Sequence, residues 1–243
     1  MLFALDELSQ IFKMPKMAVL HVGAHEGEES EIYECLGWGP ITWVEAQPNL
    51  VTKLRRRLDS RNNRVIEAAV WDTSGVELKF NISSNSQSSS LLNLGTHAED
   101  YPTISFVDVL QVFTSRLDEI LSPDDAFNFI NLDLQGVEGR ALAGLGSFLS
   151  KVNFIYTEVN RKEVYIGCTL ITELDTFLRD QGFLRVATRW IPFKGWGDAL
   201  YVRVSEIKID RMQNFRLAVI QAKYLVSSYS RATLSGIYHR LKN

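Results

Sequence analysis

The chain has no stretch approaching the roughly 20 consecutive apolar residues that a membrane-crossing helix needs. Its N-terminus also lacks a basic start followed by a cleavage pattern. Both absences lead to the expectation of a soluble, cytoplasmic protein. Cysteine is scarce: Cys35 and Cys168 are the two, and neither stands at metal-ligand spacing. That excludes a disulfide framework and a cysteine-built zinc site. No segment repeats, which excludes a solenoid. Net charge is only −3 over 243 residues, so nothing global asks for a nucleic-acid partner. The dinucleotide fingerprint G-x-G-x-x-G is missing as well. Counted from Gly23, its other two glycines would fall at His25 and Glu28.

What is present is ordinary for one globular domain plus extensions: 46% hydrophobic and 23% charged residues. A chain of this size buries a large core without metal or disulfide staples. Charge is unevenly placed. Residues 205–243 hold seven Lys/Arg against Glu206 and Asp210, a local net of +5.

Hydrophobic period gives the layout. Residues 1–16 read as an N-terminal helix ended by Pro15, with Leu2, Leu5, Leu8 or Ser9, and Phe12 on one face. A strand over 17–22 leads through a Gly turn into a helix at about 28–37. Strands over 41–46 and 64–70 flank a helix opened by Pro48. Three strands separated by two helices predict a parallel α/β sheet with right-handed crossovers. VELKFNI alternates like an extension strand. The polar, Ser-rich stretch 83–105 follows, long for a loop and expected to be an ordered flap because it carries Leu91, Leu92, Leu94, Tyr101 and Ile104. VDVLQVFTSRLDEIL gives a strand and a short helix capped by Thr114 or Ser115. Apolar strands follow at 127–134 and 152–159, each before a helix, and a hairpin of FLRVATRW with DALYVRV ends the domain at 204. Beyond it, 205–243 reads as a basic amphipathic helical extension carrying Met212, Phe215, Val219, Ala222, Val226 and Tyr229. Its apolar stripe is expected to pack on the domain or on a second subunit of a homo-oligomer. A membrane surface and a charged, carrier-bound substrate are the less favoured readings.

Chemistry gathers where open parallel sheets bind ligands, beyond the carboxyl ends of the strands. Gly23 and Gly27 follow the first strand, Glu45 ends the second and Asp133 ends the strand at 127–134. An acid about twenty residues after a glycine turn is placed to accept both ribose hydroxyls of a nucleoside. Glu26 and Glu28 in the turn would repel a pyrophosphate. They tolerate a cationic nucleoside without phosphates, and S-adenosylmethionine (SAM) is one.

VLHVGAHEGEE, WVEAQP, EAAVWDTSG, SSSLL, TSRLDEIL, INLDLQGVEGRALAG, IYTEV and LDTFLRDQGF stand in the order seen in FkbM-type SAM-dependent methyltransferases, which residues 17–204 resemble. The resemblance implies an α/β Rossmann-like fold: a mostly parallel seven-stranded sheet with an antiparallel last strand and helices on both faces. It implies O-methylation of a hydroxyl on a small molecule or sugar. It makes Gly23, Ala24, His25 and Gly27 the SAM loop, and Glu45, beside Ala46, the ribose acid. It makes Ala69 and Val70 the adenine wall, and matches Asp133, Gln135, Gly136 and Glu138 to the family's D-x-(E/Q)-G-x-E segment. Two positions depart: His21 stands where the family usually has Asp, and Asn131 where Lys is common.

For the hydroxyl proton, His97 in the flap is the first candidate base, because imidazole titrates near neutral pH. Asp133 is second, with binding of the SAM amine or the acceptor hydroxyl as its other role. Ser89, Ser90, Gln135, Glu158 and Trp196 are candidates for contacting the acceptor. The carboxylates at 133, 138 and 158 do not compel a metal site. The rival class is a nucleoside-binding module that kept the fold and lost catalysis, supported by the departures at 21 and 131.

Overall fold

A computed structural model of the chain describes residues 1–58 and 62–207. The strands are β1 (Val19–Val22), β2 (Ile41–Glu45), β3 (Asn63–Glu67), β4 (Ala69–Val70), β5 (Glu77–Ser83), β6 (Phe106–Ser115), β7 (Phe129–Leu132), β8 (Phe154–Asn160), β9 (Phe183–Trp190) and β10 (Trp196–Arg203). The helices are α1 (Leu5–Phe12), α2 (Ser30–Cys35), α3 (Pro48–Arg57), α4 (His97–Asp100), α5 (Leu117–Ile120), α6 (Glu138–Ala143) and α7 (Ile171–Asp180).

The main sheet has seven strands in the order β3-β2-β1-β7-β8-β10-β9. All neighbours are parallel except β10, which runs antiparallel to both β8 and β9. β1 and β7 are buried at every position, as strands covered on both faces must be. Their side chains alternate between two cores. Leu20, Val22, Ile130 and Leu132 pack beneath α5, α6 and α7. Val19 and Phe129 pack with Tyr33, Trp38 and Trp43 beneath α1 and α2. The chain builds outward from β1 in one direction and resumes at β7 in the other. The switch point therefore lies between β1 and β7, where a crevice opens at the strand ends.

Several expectations change in detail. The strand expected over 64–70 divides at Ala68. β3 completes the edge of the main sheet, while Ala69 and Val70 pair with Thr114 and Ser115 of β6. β4, β6 and β5 make a second, three-stranded sheet, with β5 and β6 antiparallel. Thr114 and Ser115 do not cap α5. Thr114 is committed to β6, its hydroxyl donating to the Thr73 carbonyl, and Arg116 holds the cap position without a side-chain bond. The helix after β7 stops at Ala143, and the chain continues as a 3-10 turn over Gly146–Lys151.

The flap is ordered. Ser86–Ser88 forms a 3-10 turn, α4 follows, and bridges join Asn81 to Ser90 and Leu94 to Tyr165. No helix among the described residues is long and apolar enough to cross a membrane. The amphipathic helix expected from 209 lies outside the described residues.

Candidate active site

The turn after β1 is tight because β1 and β7 end against each other. Gly23 adopts φ +83°, and a Cβ there would stand 1.9 Å from the Asp133 carbonyl oxygen. Only glycine fits. The Gly23 and Ala24 amides both donate to the Val44 carbonyl, which ties the turn to β2. His25 follows at φ +46°. Its amide donates to Glu45 Oε2 at 2.8 Å, while the Gln47 amide donates to Oε1 at 2.9 Å. Glu45 is 6% exposed. Burial raises its carboxyl above the usual range, and the two amides oppose that shift. Each oxygen keeps lone-pair capacity for a further donor. The His25 ring spans Glu28 Oε1 at 2.6 Å and Ser86 Oγ at 2.8 Å, joining the glycine turn to the flap.

A second group of acids stands at the ends of β7, β8 and β10. Gln135, at φ +53°, donates from Nε2 to Asp133 Oδ1 at 2.5 Å and to Glu158 Oε2 at 3.0 Å. Its own Oε1 accepts from the Tyr165 hydroxyl at 2.6 Å, and its carbonyl from the Ser90 hydroxyl at 2.8 Å. One amide side chain thus bridges two carboxyls. Asp198 sits opposite Glu158 in the β8–β10 register and accepts from the Tyr156 hydroxyl. Asp133 faces open space yet lies deep among protein atoms, and the lost solvation pushes its carboxyl up. Glu158 is raised by burial and then by the charges of Asp133, Glu138 and Asp198. Glu138 accepts from the Leu134 and Gly136 amides, shaping the turn that carries Gln135. Burial pushes Glu138 up to about 7, against those bonds.

A raised folded-state value gives a definite sign. Below the unfolded value of about 4.5 the Glu138 carboxyl is neutral in both states, and its contribution to stability is fully present. That contribution is lost as pH rises through about 7. Melting temperature is therefore expected to fall between pH 5 and 8. Glu138→Gln, which keeps the accepting oxygen, should flatten the slope. An identical slope in the variant would refute this assignment.

His97 opens α4 and is 5% exposed. Its ring lies 5.0 Å from Tyr101 and 5.3 Å from Tyr165, centre to centre. Nδ1 has no hydrogen-bond partner. Burial lowers its pKa below the ordinary value. The flap is latched to the β9–β10 hairpin at this point. Trp196 Nε1 donates to the Tyr101 hydroxyl at 3.2 Å, and Lys194 donates to the Asp100 carbonyl at 2.8 Å.

These elements enclose one cavity of about 470 Å³. Gly23, Ala24, His25, Glu45, Ala46, Ala69, Val70, Ser89, His97, Asp133, Gln135, Glu158 and Trp196 all line it. Two expected residues do not. Ser90 is fully buried, spending its hydroxyl on Gln135 and the Leu92 amide. Gly27 lies beneath the turn, where a Cβ would meet Leu54 at 2.9 Å. Tyr156, Tyr165 and Phe80 also line the cavity, and the sequence had not marked them. Their burial in apolar strands and loops looks like ordinary core, and only the fold brings them to the crevice. Among the described residues no Lys or Arg lines the cavity. That donor set suits a cation and a diol. Among the described residues no group of three or more His, Cys, Asp or Glu is placed to hold a metal ion.

The two departures turn out to be neighbours. His21 and Asn131 are register partners on β1 and β7. The Tyr33 hydroxyl lies 3.2 Å from His21 Nδ1 and accepts from Asn131 Nδ2 at 3.0 Å. His21 stacks on Trp43, ring centres 4.8 Å apart, and burial lowers its pKa, favouring the neutral ring. The pair is a neutral, internally bonded set, so Asn131 leaves no unsatisfied site where a lysine would stand.

The methyltransferase FkbM domain model matches residues 21–185. The 2-O-methyltransferase NoeI of Sinorhizobium fredii (strain NBRC 101917 / NGR234) is 24% identical over 172 residues, spanning 66% of this chain and 70% of that protein. Magnesium protoporphyrin IX methyltransferase (ChlM) from Synechocystis PCC 6803 with bound SAM aligns with TM-score 0.47 and 11% identity, over 82% of this chain and 77% of its own. The glycopeptide N-methyltransferase MtfA with S-adenosylhomocysteine aligns with TM-score 0.42 and 11% identity, over 82% and 87%.

Proposed function

The chain belongs to the FkbM methyltransferase family, and we propose that it transfers a methyl group from SAM to a hydroxyl of a small molecule or sugar. The observation that carries this reading is the convergence, on one cavity lined by no Lys or Arg among the described residues, of the Gly23 turn, Glu45, and the Asp133–Gln135–Glu158 set. The 2-O-methyltransferase named above supports oxygen as the acceptor atom.

SAM supplies an electrophilic sulfonium methyl group when bound. Glu45, held by two amides, is set to accept the ribose hydroxyls. Ala69 and Val70 form an apolar wall for the adenine. Asp133 supplies negative charge for the methionine ammonium, with Gln135 fixing its orientation. The acceptor lies against Trp196, Tyr101 and the flap, where the Lys194–Asp100 latch keeps bulk water out. Alignment of the acceptor oxygen with the methyl group provides most of the acceleration, on the order of 7–11 kcal/mol. His97, neutral at pH 7, takes the hydroxyl proton.

Methyl transfer from labelled SAM to a panel of sugars, phenols and matched amines tests the reading. Label on hydroxylated acceptors and none on the amines is the expected result. Label on the amines alone would refute oxygen specificity, and SAM binding with no label on any acceptor would favour the inactive-module reading.

A further inference from the structure

Tyr165 lies where the flap meets the acidic set. It is fully buried, in a loop that pairs with the flap. The Gly95 and His97 amides donate to the Val164 carbonyl, the Thr96 amide to that of Glu163, and the Ile166 amide to that of Asn93. The Tyr165 hydroxyl donates to Gln135 Oε1 at 2.6 Å. A second acceptor, the Ser88 carbonyl, stands at 3.4 Å, beyond the usual hydrogen-bond distance. Burial, and then the charges of Glu158 and Asp133, push the phenol above its ordinary range. It therefore stays protonated, and a donor, at any pH near neutral.

That constancy matters because of what Gln135 does. The two ends of a side-chain amide are alike in shape, so the partners decide which way it faces. Nε2 carries two N–H groups and both are taken, by Asp133 Oδ1 at 2.5 Å and Glu158 Oε2 at 3.0 Å. Turned by half a rotation, the same amide would set its oxygen against both carboxylates. The backbone beneath it is held separately, at φ +53° and with the Ser90 hydroxyl donating to its carbonyl. The side-chain amide is thus set by Tyr165 on one side and the two acids on the other.

We propose that Tyr165 is a positioning residue of this site: its hydroxyl turns the Gln135 amide so that Nε2 faces Asp133 and Glu158 and holds that pair in its charged form. The use of that charge, to bind the ammonium of SAM, rests on the function proposed above. Hydrogen bonds to the ionised form favour it, so loss of the phenol hydroxyl acts in one direction. Released, the amide donates less well, and the carboxyls take up protons at higher pH. Burial already raises Asp133 to about 6. Around it stand Glu158 on β8, Asp198 on β10, Glu29 before α2, Glu138 at the start of α6 and the Met1 ammonium. Tyr165→Phe alters none of them. The phenylalanine also keeps the ring that packs 5.3 Å from His97, which leaves the hydroxyl as the difference under test.

Carbon-13 resonance of the side-chain carboxyls compares Tyr165→Phe with the unaltered full chain, the Asp133 signal being identified by its loss in Asp133→Asn. Without ligand, the Asp133 midpoint is expected to rise by roughly half to one pH unit in Tyr165→Phe, the shift that one hydrogen bond carries. Calorimetry with SAM should then show an affinity loss of roughly two- to five-fold at pH 6, narrowing to about the wild-type value at pH 8. An unshifted midpoint overturns the inference, whatever the affinity. So does an affinity loss of the same factor at both pH values, which is what disturbed packing alone would give. A shifted midpoint in a protein that binds no SAM sustains the positioning role and sinks the SAM reading instead.

Discussion

Replacing His97 by Gln is expected to slow methyl transfer by roughly 10²–10⁴-fold, the range that a positioned general base contributes, while SAM affinity stays unchanged. The expectation rests on where the imidazole is. Its ring is held between Tyr101 and Tyr165, Nδ1 has no protein partner, and the residue lines the cavity. A buried nitrogen without a partner is costly to keep. Burial depresses the pKa, so the neutral, proton-accepting form prevails at pH 7. The sign follows: kcat/KM should fall on the acid side only below the ordinary value of about 6.5, as the ring gains a proton. His97→Gln should lose that limb. Near wild-type turnover in the variant would sink the base assignment and move it to Asp133, the second candidate, which also lines the cavity.

The second large effect is expected at Glu45. Glu45→Ala should weaken SAM binding by roughly 10²-fold or more, since charge-assisted hydrogen bonds contribute about 1.5–3 kcal/mol each and a ribose diol offers two. The alanine also leaves the His25 and Gln47 amides without their acceptor, loosening the turn after β1. Glu45→Gln keeps one accepting oxygen and should lose less. Equilibrium dialysis with labelled SAM separates the three proteins. Equal affinity in all of them would show that the acid at the end of β2 has no part in holding the nucleoside.

Most of the fold was legible because its signals are local. The apolar run 127–134, the glycine turn at 23 and the amphipathic pattern over 170–183 each name an element without help from the rest of the chain. The break at Ala68 was not legible. It depends on β6, some forty residues on, drawing Ala69 and Val70 into another sheet. The site divides in the same way. Glu45 and Asp133 could be found because strand ends carry a spacing rule. Tyr165 and Tyr156 could not, since an aromatic residue in a buried strand or loop looks the same whether it faces core or crevice. Ser90 was misplaced for a related reason. The Ser-rich run says that hydroxyls are present, and only the flap's backbone decides that Ser89 faces the cavity while Ser90 bonds Gln135.

His21 and Asn131 show how far a family pattern reaches. Taken singly in the sequence, each is a lost functional group. Paired across β1 and β7 and bridged by Tyr33, they form a satisfied neutral set on the α2 side of the sheet. The carboxyls that line the crevice are Glu28, Glu29, Glu45, Asp133, Glu158 and Asp198.

Calorimetric titration of the intact protein with SAM, set beside NADH, tests the cofactor site most directly. Saturable one-to-one binding of SAM and no heat from NADH is the predicted result. No heat from SAM, or a stoichiometric heat from NADH, would contradict it.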